Sequence, residues 1–314
     1  GYWNYYENSG DLNRVREDWD AIVKNMKWFE ELSAEHDDGL LHGEWHLMRN
    51  DDQLYGGFHG DLMVPDELFD RKGYQCMFTC TYLLALQATE KLARALGKAR
   101  EAGRYETMAQ KLGRSVVNNF WDPEKECFSD NLERTTHSVH ANLFVIRAGI
   151  ANDHQTRALR KHVESQLPGL FLNGYDSSDG IRCSAPFSYY IFEGLYKLGL
   201  YRTAENIMRQ GWGWALAQGI RTTPEYFDLD SSLCQAWSGS PTWYLSRHVL
   251  GVSFPMAPDL NQVEIEVKTA DLLFAEGAFP HPDGVIEVKW HMEGQRRIFD
   301  YVRAPEGVHV KTIG

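Results

Sequence analysis

Four loops of this 314-residue sequence carry the side chains best suited to chemistry. They are Leu41-His42-Gly43-Glu44-Trp45-His46, Gly56-Gly57-Phe58-His59-Gly60-Asp61, Arg221-Thr222-Thr223-Pro224-Glu225-Tyr226-Phe227 and Ser231-Ser232-Leu233-Cys234-Gln235-Ala236-Trp237-Ser238. Hydrolysis of a glycoside needs two carboxyl groups flanking the scissile bond. One is protonated and serves the leaving oxygen; in an inverting enzyme the other activates water. Glu225 suits the second role, because it sits in a short Thr-Thr-Pro-Glu loop bracketed by aromatics. By itself it would read as a solvated loop carboxylate. Its company is what sets it apart: Gln235, Trp237 and Trp243 follow within a turn or two.

Other chemistries find less support. His42, His46 and His59 do not have the spacing of HExxH or another compact ligand set, so no metal site is expected. No GxGxxG or P-loop occurs, and no cofactor is implied. Ser238-Gly239-Ser240 does not supply the GxSxG elbow of a serine nucleophile. A net charge of -12 argues against a nucleic-acid partner, which wants clustered Lys and Arg. No apolar run approaches the roughly 20 residues of a membrane helix, so a spanning protein is not expected. Cys76 and Cys80 lie inside an apolar helical run and read as buried thiols. Five widely spread cysteines suggest neither a disulfide framework nor a zinc site.

Composition is that of a soluble globular protein, 43% hydrophobic and 24% charged, with room for one large domain and a small one. Aromatic residues are the outlier, with 10 Trp, 15 Tyr and 15 Phe. A large core uses them, and so does a sugar cleft, where a flat ring stacks on a pyranose. The chain begins at Gly1 without Met or a signal-peptide pattern and reads as a piece of a longer protein. Its compartment, cytoplasmic, periplasmic or secreted, stays open on that reading, as does oligomeric state.

The elements that must position these loops are helices. Apolar spacing predicts one over 11–34, a mostly buried one over 73–96 and an amphipathic one over 105–120. Further helices are expected over 138–148, 156–165, 185–198, 203–217 and 231–250. Gly149, Gly199 and Gly219 follow helical stretches where a left-handed C-cap is expected. From Asn261 onward the pattern changes. Val263–Val267 and Val285–Trp290 alternate as strands, with Pro280, Pro282, Asp283 and Gly284 as turn residues. The expected division is a helical domain over 1–253 and a small antiparallel β-sandwich over 254–314. About eight helices, alternately buried and amphipathic, fit an (α/α)6 toroid that lacks its opening hairpins, or an open α-solenoid. The absence of a fixed-period repeat favours the toroid.

The last third of the chain resembles bacterial α-L-rhamnosidases, glycoside hydrolase family 78. The resemblance rests on Thr222-Thr223-Pro224-Glu225, on Ser231 through Pro241, and on Val249-Leu250-Gly251-Val252. Ala275-Glu276-Gly277 and Pro282 through Trp290 are similar to that family's C-terminal β-sandwich, and Tyr5 through Leu12 to its GDL-containing middle helix. It implies a six-hairpin toroid that hydrolyses terminal non-reducing α-L-rhamnosides by single displacement with inversion. It also implies a carbohydrate partner, a rhamnosylated glycoside or polysaccharide, and Glu225 as the general base. The family's general acid lies in an Arg-Asp-Glu segment upstream of the GDL helix, and no such stretch occurs in these residues. Glu44 and Asp61 are the nearest candidates to replace it.

Two departures touch the implied sugar site. The family commonly has His before the Ala-Trp of the last helix, where this chain has Gln235. An Asp-Trp pair after its first hairpin is matched by Glu44-Trp45. Gln donates and accepts hydrogen bonds but carries no charge, so hydroxyl recognition and pH response should differ. Glu44, Trp45, Asp61, Gln235 and Trp237 are therefore the expected substrate contacts. Another inverting six-hairpin glycosidase with a different sugar, or a non-catalytic carbohydrate-binding toroid, stands beside the leading reading.

Overall fold

Helical hairpins organise the larger part of the chain. The computed structural model describes residues 1–42, 73–166, 185–253 and 259–313. Its helices are α1 (Tyr2–Ser9), α2 (Asn13–Glu17), α3 (Trp19–Ser33), α4 (Cys76–Ala95), α5 (Ala99–Phe120), α6 (Val139–Ala148), α7 (Asp153–Gln166), α8 (Ser188–Lys197), α9 (Tyr201–Ala217) and α10 (Ser240–Tyr244). Compactness divides the chain into Asp18–Ser238 and a second unit made of Gly1–Glu17 with Gly239–Gly314. The first of these is mainly helical, and the second holds most of the strands. Among the described residues no helix is long and apolar enough to cross a membrane.

In the first unit α4 packs on α5, α6 on α7, and α8 on α9, while α6 also packs on α4 and α8. That makes α4, α6 and α8 an inner row. Their sequences show why: α6 buries nine of its ten residues, Val139–Ile146 and Ala148, whereas α7 buries only Gln155, Leu159 and Val163. A helix buried on nearly every face belongs inside, and one with a single apolar stripe belongs outside. The aromatic surplus works largely here. Phe144 meets Phe187 and Tyr190 at ring-centroid distances of 6.0 and 5.6 Å, and the Arg147 guanidinium lies over Phe144 and Tyr190.

The inner helices run the same way. His140 meets Phe187 near their N-termini, and Arg147 Nε donates to Glu193 at 2.7 Å near their C-termini. The turns at the C-terminal ends are tight, closed at Gly149 and Gly199 with φ of 67° and 70°; Gly219 ends α9 at 79°. These are the left-handed caps expected from the sequence. The N-terminal ends receive the long connections instead, which is where a rigid scaffold of this kind presents functional loops.

One of those ends is tied together by a buried carboxylate. Asp130 accepts from the backbone N–H and the hydroxyl of Ser138, whose Oγ also caps α6 by accepting from Ala141. The Asp130 carbonyl accepts from the N–H of Cys76, the first residue of α4. Burial pushes the Asp130 carboxyl up to about 6 despite the bonds from Ser138 and Thr136. The folded state therefore holds this proton more tightly than the unfolded chain. Its contribution is smallest at neutral pH and rises as pH falls through about 6 toward 3.8. Urea unfolding from pH 7 to pH 4 should show the parent protein gaining on Asp130→Asn across that window. Parallel curves would mean that Asp130 is not the group titrating.

The second unit holds β3 (Val252–Ser253), β4 (Gln262–Glu266), β5 (Phe274–His281), β6 (Gly284–Glu293), β7 (Arg296–Arg303) and β8 (His309–Ile313); a small hairpin, β1 (Trp121–Asp122) with β2 (Cys127–Phe128), lies in the first. Two three-stranded sheets, β3-β4-β8 and β5-β6-β7, share one core. Val263 and Ile265 point into it from β4, and Ile286, Val288 and Trp290 from β6. The predicted turn closes the β5–β6 hairpin, with His281 opposite Gly284. Pairing is antiparallel except that β8 runs parallel to β4. The chain reaches β8 by crossing from the other sheet, which frees it from hairpin direction.

Two expected helices are broken. The segment 11–34 interrupts at Asp18, whose φ and ψ of -95° and 6° leave the helical region between α2 and α3. The segment 231–250 is a bend through Gln235, a 3-10 turn at Ala236–Gly239, α10, and a π turn at Leu245–Val249. Its first five residues cannot join a helix, because their backbone groups bond elsewhere, as described next. Cys76 and Cys80 are buried free thiols, as their apolar run suggested.

Candidate active site

The loop that carries Glu225 is laced to the loop that carries Gln235. The Glu225 N–H donates to the Ser232 carbonyl at 2.8 Å, and the Gln235 N–H to the Thr223 carbonyl at 2.7 Å. The Thr223 hydroxyl donates to the Gln235 carbonyl at 2.6 Å, and the Thr222 hydroxyl to that of Leu233. Between the two arms Asp228 closes the tip by accepting from the N–H groups of Asp230 and Ser231 at 3.0 and 2.8 Å. The two threonines thus have a structural task that their hydroxyls explain: they fasten one motif to the other.

Glu225 lies at the N-terminal end of the inner row. Its carbonyl accepts from the N–H of Ala185, in the turn that opens α8. With its N–H and carbonyl both engaged, its peptide is fixed on two sides. The side chain is half-buried, and among the described residues its carboxylate has no hydrogen-bond or ion-pair partner. An anchored backbone with an uncommitted carboxylate suits a group that must meet a water or a hydroxyl.

Gln235 is half-buried in the facing arm, and its amide makes no hydrogen bond among the described residues. It precedes the 3-10 turn and leaves the capping bond there to its backbone carbonyl, which accepts from Ser238 N–H at 3.0 Å. Trp237 is 75% exposed, so its indole face is open. Trp243 is engaged otherwise, packed on Phe279 with the Arg247 guanidinium over its ring. His42 bridges to Tyr74 and stacks edgewise on it. Glu44, Trp45 and Asp61, with His46 and His59, lie outside the described residues.

Three further residues hold the site, Phe227 of the Glu225 loop and two that no sequence motif marked, Gly211 and Trp212. Phe227 packs against α9, in T-shaped contact with Trp212 at 5.2 Å and Trp214 at 6.4 Å. Trp212 Nε1 also donates to the Ser238 carbonyl at 2.9 Å. Gly211 makes room: a Cβ there would stand 2.5 Å from Phe227 Cζ. The signal was present as Gly211-Trp212-Gly213-Trp214, two glycines in a helix interior where each costs stability without a packing reason.

A family model described as the bacterial α-L-rhamnosidase six-hairpin glycosidase domain matches residues 2–249. The chain belongs to that family. The rhamnosidase relatives confirm the hairpin architecture. An α-L-rhamnosidase of Alteromonas sp. (strain LOR) is 21% identical over 305 residues, 92% of this chain and 31% of that protein. The crystal structure of a GH78 family rhamnosidase of Bacillus sp. GL1 superposes with a TM-score of 0.73 at 21% identity, covering 99% of this chain and 33% of that one. An α-L-rhamnosidase from Dictyoglumus thermophilum gives 0.74 at 17% identity, over 99% and 33%. One from Streptomyces avermitilis, complexed with L-rhamnose, gives 0.68 at 15% identity, over 93% and 26%. The chain thus spans about a third of the length of the rhamnosidases it matches.

Proposed function

We propose that the protein containing this chain hydrolyses terminal non-reducing α-L-rhamnose residues from glycosides, with inversion, and that Glu225 is its general base. The observation that carries this reading is the pairing of Thr222–Glu225 with Ser232–Gln235 at the N-terminal end of the inner helices, in a chain of the rhamnosidase family. In this reading Glu225 takes a proton from the water that attacks the anomeric carbon opposite the leaving oxygen. The Arg-Asp-Glu segment of the family's acid is not among the 314 residues, so the proposal assigns only the base to this chain. Glu44, Trp45 and Asp61 remain proposed sugar contacts beside Gln235 and Trp237.

The test is direct. The full-length protein should release L-rhamnose from an aryl α-L-rhamnoside, and NMR of the first product formed should show the β anomer. Release of the α anomer would replace single displacement by a retaining mechanism. No release from rhamnosides, with release from another aryl glycoside, would favour the different-sugar reading that Gln235 raises.

Gln235 should set part of that choice. A site that hydrogen-bonds a hydroxyl rejects the sugar lacking it, because the partner is left buried and unpaired. Gln235→His should therefore change the ratio of kcat/KM between two aryl glycosides that differ at one hydroxyl. An unchanged ratio with both activities intact would place Gln235 outside the recognition contacts.

A further inference from the structure

Two separate points of the catalytic loop are fastened to a single turn of α9. Phe227, two residues after Glu225, rests on the bare backbone of Gly211, and the Ser238 carbonyl is held by the indole N–H of the next residue, Trp212. The ring of Phe227 has little freedom there. Trp212 and Trp214 both meet it edge to face, with interplanar angles of 76° and 85°. Trp212 also meets Phe192 of the inner helix α8, 5.9 Å away between centroids. The loop is therefore referenced through one aromatic stack to the same inner helix whose opening turn binds the Glu225 carbonyl.

We infer that Phe227, seated on Gly211, is the positioning residue that sets where the Glu225 carboxylate stands. This inference rests on the reading of Glu225 as the base. The physical reason is the closeness of the seat. A methyl group at residue 211 would lie 2.5 and 2.9 Å from two ring carbons of Phe227, closer than real side chains keep, and 3.0 Å from a third. The helix backbone is held by its own hydrogen-bond ladder, and the ring is walled by two indoles. Relief must come from the loop. A shift of about 1 Å at a catalytic group is enough to cost on the order of 100-fold in rate.

The experiment uses the full-length enzyme and four variants, Gly211→Ala, Phe227→Ala, the double variant Gly211→Ala with Phe227→Leu, and Glu225→Gln. Gly211→Ala should lower kcat by roughly 10- to 100-fold, with KM and the thermal midpoint little changed. The double variant removes the ring edge that the new methyl strikes, and should recover most of the lost kcat. Phe227→Ala reaches the loop without crowding the helix and should lower kcat in the same KM-sparing way. Unchanged kcat in Gly211→Ala and Phe227→Ala, with Glu225→Gln inactive, would overturn the positioning role alone. So would a loss in Gly211→Ala that tracks a fall in thermal midpoint and is not relieved in the double variant. Full activity in Glu225→Gln would instead remove the base assignment on which the inference stands.

Discussion

Glu225→Gln in the full-length protein is expected to lower kcat on an aryl α-L-rhamnoside by roughly 10²–10⁴-fold, with KM within a few-fold of the parent. The size follows from the role proposed for Glu225. An amide keeps the shape and the polarity of the side chain but cannot take a proton from water, so only the step that needs the base suffers. The surroundings should survive the change. Both backbone groups of Glu225 bond to Ser232 and Ala185 through the peptide rather than the carboxylate, and the carboxylate holds no partner among the described residues. The thermal midpoint should accordingly stay near that of the parent. Activity within tenfold of the parent would show that the base lies elsewhere.

Trp290→Ala is expected to cost about 3–5 kcal/mol of stability, the usual range for deleting a fully buried large aromatic. Trp290 has no exposed surface and stands in a core shared by both small sheets. Its indole N–H donates to the Val249 carbonyl at 3.0 Å, and the Arg297 guanidinium covers its ring at 5.2 Å. Truncation therefore leaves a cavity and also strips a partner from the last carbonyl of the π turn. Trp290→Phe separates the two effects, because it keeps most of the volume and loses only the donor. It should cost about 1–3 kcal/mol. Urea unfolding followed by circular dichroism measures both, and a loss under 1 kcal/mol for the alanine variant would contradict the central place given to this residue.

Much of the helical part was legible in the residues themselves. The contrast between the mostly apolar Val139–Ala148 and the striped Asp153–Gln166 separates an inner helix from an outer one, and Gly149, Gly199 and Gly219 mark the stops. Strict alternation identifies β4 and β6 for the same reason: each residue's side of the sheet is decided by its neighbours in the chain. The strands β5, β7 and β8 were not legible. Phe274–His281 contains Gly277 and Pro280, and Arg296–Arg303 opens on two arginines, so neither carries a clean period of two. β5 and β7 are strands because β6 supplies partners for their backbone groups, and β8 because β4 does.

The candidate site divides along the same line. Thr222 through Glu225 and Ser231 through Trp237 announce themselves as motifs, since the residue types that the chemistry needs stand close together in the chain. What joins them does not. A helix over 231–250 fits the local pattern, yet Ser232 and Gln235 give their backbone bonds to Glu225 and Thr223, and helix begins only after Gln235. The seat of Phe227 on Gly211 likewise pairs residues sixteen apart, and nothing in either segment alone specifies that the two surfaces meet. Periodicity, caps and motif chemistry are short-range properties, set by residues within a turn or a strand of one another. Close approach, hydrogen-bond choice between competing partners and the direction of β8 depend on which segments the packed chain brings together, and only the tertiary structure decides that.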